Sequence, residues 1–185
     1  MLRLAALLVG LAGVALADLD PSLTPVHSLL DENRFAERYR FRLDFNGDGV
    51  KDLAISEPIE RMGRMGGMFE IHIASADGTD FEFFDVMLVH PKAISVEKDP
   101  HKPKTLRVWT YLRGAASYGG LGYYSISEDG LKEFQGVEIN AGDQGTSTGN
   151  AMYATVFAHS DVPFELERST TTDGMIEWAK VELLR

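Results

Sequence analysis

The chain has 185 residues, of which 44% are apolar and 10% aromatic, and a formal net charge of −10. This apolar content is too high for a disordered chain and can fill a core. The acidic balance argues against a nucleic-acid partner, because phosphate contacts need clustered Lys and Arg, whereas it suits cation binding. The absence of cysteine excludes disulfides, zinc–thiolate sites and thiol catalysis.

Residues 1–17 have the layout of a secretory signal peptide. Arg3 precedes an apolar run, residues 4–16, and the segment ends in Ala15-Leu16-Ala17, which predicts cleavage after Ala17. An uncleaved anchor is the less favoured alternative, because the run is shorter than the roughly 20 residues that a bilayer-spanning helix needs. No later segment is apolar enough to span a membrane. We expect a secreted or periplasmic protein with a single β-rich domain over residues 18–185.

Two short helices are predicted. Thr24-Pro25 provides an N-cap and a first helical position for one, and the other follows Ser147 and Thr148. Their apolar faces comprise Val26, Leu29 and Leu30 in the first helix and Met152, Tyr153, Val156 and Phe157 in the second.

A half-buried strand is predicted from Tyr39 onward, because apolar residues recur at every second position. They are Tyr39, Phe41, Leu43 and Phe45, and they alternate with Arg38, Arg40, Arg42 and Asp44. We expect the arginine row to face solvent, as charged residues usually do. Binding of an anionic ligand by these arginines is the alternative.

Further strands follow at short intervals, and turn signals separate most of them. Asp77-Gly78, Asp129-Gly130 and Asp173-Gly174 lie between apolar alternations and suit hairpins. The predicted strands are 52–56, 68–74, 81–88, 93–97, 106–112, 122–127, 131–139, 164–168 and 175–183. The predicted fold class is therefore α+β, mostly antiparallel sheet with one or two short helices.

Two segments carry signals against regular structure. Residues 99–104 contain two prolines, which remove sheet hydrogen-bond donors, so we expect this segment to stay out of a central strand. Residues 140–150 form a glycine-rich polar loop that either carries function or simply connects its neighbours. It lacks the Gly-Lys-Ser/Thr ending of a phosphate-binding P-loop.

The strongest chemical signal is the run from Asp44 to Asp52, in which oxygen-bearing side chains occupy loop positions 1, 3, 5 and 9. They are Asp44, Asn46, Asp48 and Asp52, and the Val50 carbonyl would add position 7. Calcium takes about six to eight oxygen ligands, and alternate residues of a tight loop can point at one centre. The spacing predicts a Ca²⁺ site; an acidic Asn-Gly and Asp-Gly turn without metal is the alternative.

The surroundings of this loop differ from an EF-hand. Position 12 is Ile55 rather than the bidentate Glu of that motif. The chain leaves the loop through the β-type run Leu53-Ala54-Ile55 and enters it from the strand that begins at Tyr39. The predicted context is therefore strand, loop, strand.

Residues 38–75 resemble the calcium-binding repeat of FG-GAP proteins, a family that includes integrin α-chain propellers and many bacterial surface proteins. The matching residues are Asp44, Asn46, Gly47, Asp48, Gly49, Asp52, Leu53 and residues 54–58, with Gly66-Gly67 leading into the next strand. The resemblance implies calcium ligation by Asp44, Asn46, Asp48 and Asp52 in a β-hairpin loop. It does not imply a propeller, which needs about four or more blades, because the motif occurs once. We expect one blade-like hairpin within another β-rich domain.

No motif for catalysis stands out. The histidines are scattered without an HExxH pair. Residues 145–149 match Gly-x-Ser-x-Gly, but they lie within the glycine-rich polar loop and no predicted strand runs directly into them, as a nucleophile elbow requires. His72 alternates with Ile71 and Ile73 and is expected on a polar strand face. Glu165 and Glu167 share a strand face, a spacing common on solvated sheets.

A cluster of aromatics and glycines suggests a second kind of site. Tyr118, Tyr123 and Tyr124 lie near Gly119, Gly120 and Gly122. They could form an aromatic platform for sugars or peptides, but core packing is the favoured interpretation, because aromatics are common in strands. Taken together, the sequence predicts an exported, calcium-binding, non-enzymatic domain that binds an envelope or extracellular macromolecule or supports the envelope. A calcium-dependent hydrolase of envelope polymers is the alternative.

Overall fold

The structure is a computed structural model that describes residues 35–63, 65–91, 93–113, 118–140, 156–157 and 160–183. These residues form ten strands and a 3-10 turn, Ile59–Arg61. The strands are β1 (Tyr39–Leu43), β2 (Asp52–Ser56), β3 (Gly67–Ala74), β4 (Phe81–Val89), β5 (Ile94–Asp99), β6 (Lys102–Arg113), β7 (Tyr118–Ser127), β8 (Gly130–Asn140), β9 (Glu167–Thr172) and β10 (Met175–Lys180).

The strands form two antiparallel sheets. One contains six strands in the order β10-β9-β1-β2-β3-β4, and the other contains four in the order β5-β6-β7-β8. The three predicted Asp-Gly turns lie between β3 and β4, β7 and β8, and β9 and β10, and their glycines have positive φ. The prediction of a mostly antiparallel β fold is confirmed, and the described strands form no propeller.

Of the α+β prediction, the described residues show the β part. Val156 and Phe157 are helical, but the rest of the second predicted helix lies outside the described residues. The leader, the predicted helix after Thr24 and residues 141–150 of the glycine-rich loop lie outside them too. Within the described ranges, no helix has the length and apolarity needed to cross a bilayer.

The main core lies where the two sheets face each other. Phe41, Phe69 and Met87 bury their side chains from the six-stranded sheet, and Val108 and Ile126 do so from the four-stranded one. Alternate side chains of a strand point to the same face. The predicted alternation of β1 is confirmed in its burial, with Tyr39, Phe41 and Leu43 inside the core.

The prediction for the proline segment is wrong, because β6 begins at Lys102 and includes Pro103, and β6 lies inside its sheet. Pro103 is tolerated because pairing is irregular there. The β5–β6 register shifts between Lys98 and Asp99, and pairing with β7 begins only at Leu106. The missing N–H of Pro103 therefore falls outside the regular ladder.

The predicted strand 164–168 is also displaced, since β9 runs from Glu167 to Thr172. β9 contains no apolar residue, so its sequence offers no apolar alternation that would predict a strand. Apart from Ser169, its side chains are exposed or only partly buried. Pairing with β1 and β10 places this strand in the sheet. Strand formation here depends on partners that are distant in sequence.

Tyr124 links the two sheets. The backbone N–H of Leu88 in β4 donates to Tyr124 Oη in β7 at 3.0 Å, and Tyr124 is only 4% exposed. We expect Tyr124→Phe to lower the free energy of unfolding by about 1 kcal/mol at pH 7, because the Leu88 amide loses its acceptor.

The same residue predicts a pH dependence. Burial raises the pKa of Tyr124, against the Leu88 hydrogen bond, which lowers it. The folded-state pKa lies above the unfolded value of about 10. The stability that the neutral phenol contributes is therefore complete below pH 10 and is lost as pH rises through the folded pKa. Urea titrations from pH 7 to 11 should show a steeper alkaline loss for the wild type than for Tyr124→Phe; parallel losses would contradict this.

Candidate metal centre

Residues 44–52, here named the acidic loop, join β1 to β2 in a hairpin. The ladder closes at the pair Leu43 and Asp52, so the loop begins and ends at one point of the sheet. Gly47 and Gly49 have φ of +76° and +93°. Residues with a Cβ rarely adopt these backbone angles, so the two glycines allow the tight turn of the acidic loop.

Three predicted ligands meet within this turn and accept its hydrogen bonds. Asp44 Oδ1 accepts the Asp48 N–H and Asp44 Oδ2 accepts the Gly49 N–H, both at 3.0 Å. Asn46 Oδ1 accepts the same Asp48 N–H at 3.0 Å. Asp48 Oδ1 accepts the Val50 N–H at 2.7 Å, and Asp48 Oδ2 accepts from Asn46 Nδ2 at 2.8 Å. The side chains of Asp44, Asn46 and Asp48 therefore converge on one short segment of backbone.

These contacts leave capacity for a cation. An ionised carboxylate offers about four acceptor positions, and each carboxylate oxygen of Asp44 and Asp48 accepts one hydrogen bond in the contacts above. The Val50 N–H, and then the Asn46 side chain, lower the pKa of Asp48. Asp48 is thus ionised at neutral pH, and hard carboxylate and amide oxygens are the ligand type that calcium prefers.

Asp52 differs from the other predicted ligands. It is 0% exposed, and its Oδ2 accepts the Phe45 N–H at 2.6 Å while its Oδ1 accepts the Ala74 N–H at 2.9 Å. Burial raises the pKa of Asp52, and the two backbone hydrogen bonds act in the opposite direction. The structure therefore brings Asp44, Asn46 and Asp48 together and directs Asp52 at the backbone.

No three His, Cys, Asp or Glu side chains lie close enough to hold a metal by themselves in the part of the chain that the structure describes. A cation in the acidic loop would thus need the Asn46 amide and backbone carbonyl oxygens, such as the predicted one of Val50, beside the two carboxylates. Calcium accepts such mixed oxygen sets. The donor chemistry of the loop fits calcium through Asp44, Asn46 and Asp48.

The acidic loop also touches other parts of the fold. A Cβ placed on Gly47 would lie 3.1 Å from the Cβ of Lys104, so the loop packs against the start of β6. A Cβ on Gly78 would lie 3.8 Å from Val50 Cγ1, which brings the β3–β4 turn beside it. The loop therefore lies where the six-stranded sheet, its β3–β4 turn and the four-stranded sheet meet.

A second polar cluster, which the sequence did not indicate, lies on β1, β2 and β3. Arg38 is 1% exposed, and its Nη1 donates to the Ser56 carbonyl at 2.8 Å. Burial lowers the pKa of Arg38, with Glu60 and Glu70 raising it. The expectation that Arg38 faces solvent is therefore wrong. Burial of an arginine requires partners, and these come from strands that the local pattern of β1 does not reveal.

The other two arginines of the predicted row, Arg40 and Arg42 in β1, are also held by contacts within the protein. Arg40 Nε donates to Glu167 Oε2 at 2.7 Å, and its guanidinium lies 3.9 Å from the ring centroid of Trp178. The guanidinium of Arg42 lies 5.2 Å from the Phe81 ring. Both are partly buried. These contacts give the arginine row internal partners and leave its alternative role as an anion site without support.

His72 belongs to the same region and is likewise buried, contrary to the expected polar-face position. It is 1% exposed, its Nε2 lies 3.1 Å from Glu70 Oε2, and its ring packs edge-on against Phe83. Within the described residues its Nδ1 has no hydrogen-bond partner. The alternation of Glu70 and His72 with isoleucine was the signal available from sequence, but it does not distinguish a buried polar pair from a solvated face.

The three tyrosines considered for an aromatic platform, the less favoured alternative to core packing, do not share one face of β7. Tyr124 is in the core, and the Tyr118 side chain lies outside the described residues. Tyr123 stacks on Phe134 at 4.9 Å with an interplanar angle of 13° and lies 4.7 Å from Trp109. Tyr123 and Phe134 therefore stack face to face and Trp109 packs at a tilt against Tyr123, which forms a cross-strand aromatic row.

The chain matches no protein-family model, no curated protein and no solved structure. The resemblance of residues 38–75 to FG-GAP repeats thus remains a prediction from those residues alone.

Proposed function

We propose that this chain is an exported, non-enzymatic domain that binds one calcium ion in the acidic loop and serves as a binding or structural module of the cell envelope or extracellular space. The observation that carries the proposal is the convergence of Asp44, Asn46 and Asp48 in a turn permitted by two positive-φ glycines. The acidic balance of the chain agrees with a cationic ligand.

The ion would act on the folded state. Asp44 and Asp48 would supply negative charge, and Asn46 and the Val50 carbonyl would supply neutral oxygens. Without a cation, the two carboxylates repel each other across a short loop. Bound calcium would remove that repulsion and fix the β1–β2 hairpin, which lies at the centre of the six-stranded sheet.

The strand–loop–strand context agrees with the FG-GAP resemblance. β1 enters the acidic loop, β2 leaves it, and Gly67 begins the next strand. We propose that this segment is a single blade-like hairpin within a two-sheet domain. The leader residues 1–17 support export to the periplasm or beyond, and the intact mass of the natively produced protein would test this through an N-terminus at Asp18.

The preference for a binding role over catalysis rests on sequence, which offers no HExxH metal pair and whose one Gly-x-Ser-x-Gly match, residues 145–149, lies in the glycine-rich loop rather than directly after a strand. Calcium-dependent turnover of an envelope polymer, abolished by Asp48→Ala, would instead favour the hydrolase alternative. A catalytic calcium would need an open coordination position beside a titratable base.

We expect calcium to stabilise the protein measurably. Calcium at tenfold over its dissociation constant should add about 1.4 kcal/mol to the free energy of unfolding, from RT ln(1 + 10), and raise Tm by a few degrees. The affinity should be modest, roughly 0.1–1 mM, because the position-12 glutamate is absent. Magnesium should substitute poorly, since it demands stricter octahedral geometry. Melting curves in calcium, magnesium and chelator measure this.

Two variants make the test specific. Asp48→Ala should abolish the calcium-dependent rise in Tm. Asp77→Ala is the matched control, because Asp77 is also exposed and accepts hydrogen bonds within its own turn, from Ser75 and Thr79. These contacts hold the pKa of Asp77 at about 2. The Asp77→Ala substitution should lower Tm by the same amount with and without calcium. Identical wild-type melting in all three conditions would reduce the acidic loop to an ordinary turn.

A further inference from the structure

Asp52 occupies position 9 of the calcium-type spacing, yet its carboxylate accepts two backbone hydrogen bonds in the protein interior. We infer that Asp52 is a positioning residue that holds the acidic loop against the β3–β4 hairpin and so places Asp44 for the cation, without ligating the cation itself. This inference rests on the proposed calcium site and deepens it.

The two backbone amides that donate to Asp52 lie just beyond the ends of the β1–β2 and β2–β3 ladders. The last β1–β2 pair is Leu43 with Asp52, so the Phe45 N–H lies beyond that ladder. The last β2–β3 pair at this end is Leu53 with His72, so the Ala74 N–H lies beyond that one. Buried backbone donors need acceptors. One carboxylate satisfies both, at 2.6 Å and 2.9 Å.

Burial and location separate Asp52 from the exposed side of the loop. Asp52 is 0% exposed, as are its sequence neighbour Leu53 and its hydrogen-bond partner Phe45. The hydrogen bonds alone do not occupy every acceptor position of this carboxylate, but its complete burial keeps it away from the exposed side of the loop. Rotating the side chain toward that side would break both hydrogen bonds and leave two amides without acceptors. Asp48, by contrast, is exposed, and its hydrogen bonds stay within the loop.

The link to the cation site follows from chain connectivity. Phe45 directly follows Asp44, so the bond from the Phe45 N–H to Asp52 fixes the backbone that carries the first ligand. The bond to Ala74 ties that point to the end of β3, 22 residues away. Groups that orient metal ligands change metal affinity by about 10- to 100-fold when they are removed.

The experiment compares the purified full chain with Asp52→Asn, Asp48→Asn and Asp77→Asn, measuring Tm in chelator and calcium binding by calorimetry. Asp52→Asn should melt several degrees lower in chelator and bind calcium about tenfold more weakly, still with one site. Asp48→Asn should melt in chelator no lower than the wild type, because the repulsion from Asp44 is removed, and should lose calcium binding. Asp77→Asn should lower Tm without changing the calcium dissociation constant.

Two outcomes would overturn the inference. Asp52→Asn that melts like wild type in chelator and loses calcium as completely as Asp48→Asn would make Asp52 a ligand. If Asp52→Asn lowered Tm in chelator but left the calcium dissociation constant unchanged, Asp52 would stabilise the fold without affecting the calcium site. A wild-type chain that binds no calcium is a different failure, that of the proposed function, and is recognised without any variant.

If Asp52→Asn does not fold, amide hydrogen exchange of the wild type in chelator replaces the melting comparison. The Phe45 and Ala74 amides should be protected from exchange, because both donate to the buried Asp52 carboxylate. That carboxylate keeps its position without a bound metal. The Gly49 amide, hydrogen-bonded within the exposed loop, should exchange faster. Exchange of Phe45 and Ala74 as fast as Gly49 would overturn the role.

Discussion

Phe41→Ala should lower the free energy of unfolding by about 3–5 kcal/mol, the usual cost of truncating a buried phenylalanine. Phe41 is 0% exposed and lies in the middle of β1. Its ring centroid lies 5.4 Å from that of Phe164, 5.7 Å from that of Phe69 and 6.2 Å from that of Phe45. Alanine would leave a cavity among three rings that come from separate segments and cannot close together.

The matched control is Phe134→Ala in the four-stranded sheet. Phe134 also has a ring partner, Tyr123, but it is 41% exposed. Its truncation removes one aromatic contact, worth about 0.5–1.5 kcal/mol, and creates no closed cavity. Urea denaturation of both variants measures the difference. Equal losses would mean that the ring cluster around Phe41 is not a close-packed core.

Gly66→Ala should be nearly as damaging, because the backbone there has no room for a side chain. Gly66 has φ of +99°, and a Cβ would lie 2.2 Å from the Val89 carbonyl oxygen and 2.6 Å from His90 Cα. Both are backbone atoms of the segment that pairs with β3, so they cannot rotate away. Strain at positive φ costs about 1–3 kcal/mol, and overpacking typically adds 1–3 kcal/mol more. We expect a loss of about 3–5 kcal/mol.

Gly130→Ala separates the two causes. Gly130 has φ of +124°, but a Cβ there would have no atom within 4 Å. Only the conformational part of the cost should appear, about 1–3 kcal/mol. Thermal unfolding of both variants gives the comparison. If Gly66→Ala were no worse than Gly130→Ala, β3 and β4 would have to separate at this point with little cost.

The acidic loop was predictable because its signals are local. The spacing of oxygen-bearing residues and glycines lies within a nine-residue segment, and the structure places Asp44, Asn46 and Asp48 in one turn; calcium ligation by them stays a prediction. The orientation of Asp52 was not predictable. It depends on the Ala74 amide, 22 residues away, which becomes available only when β2 and β3 pair.

The sequence by itself determined the strands with a clear period of two and the Asp-Gly turns between them, since alternation and turn chemistry act between neighbouring residues. Only the tertiary structure decided which polar residues are buried. Arg38 and His72 have the same local pattern as solvated strand residues, yet each is 1% exposed. Burial of a polar group is favourable only when hydrogen-bond partners compensate for the lost water. For Arg38 the Ser56 carbonyl of β2 is such a partner. The partner of His72 is Glu70 on the same strand, and it is Phe83 of the neighbouring strand β4 that packs against the His72 ring.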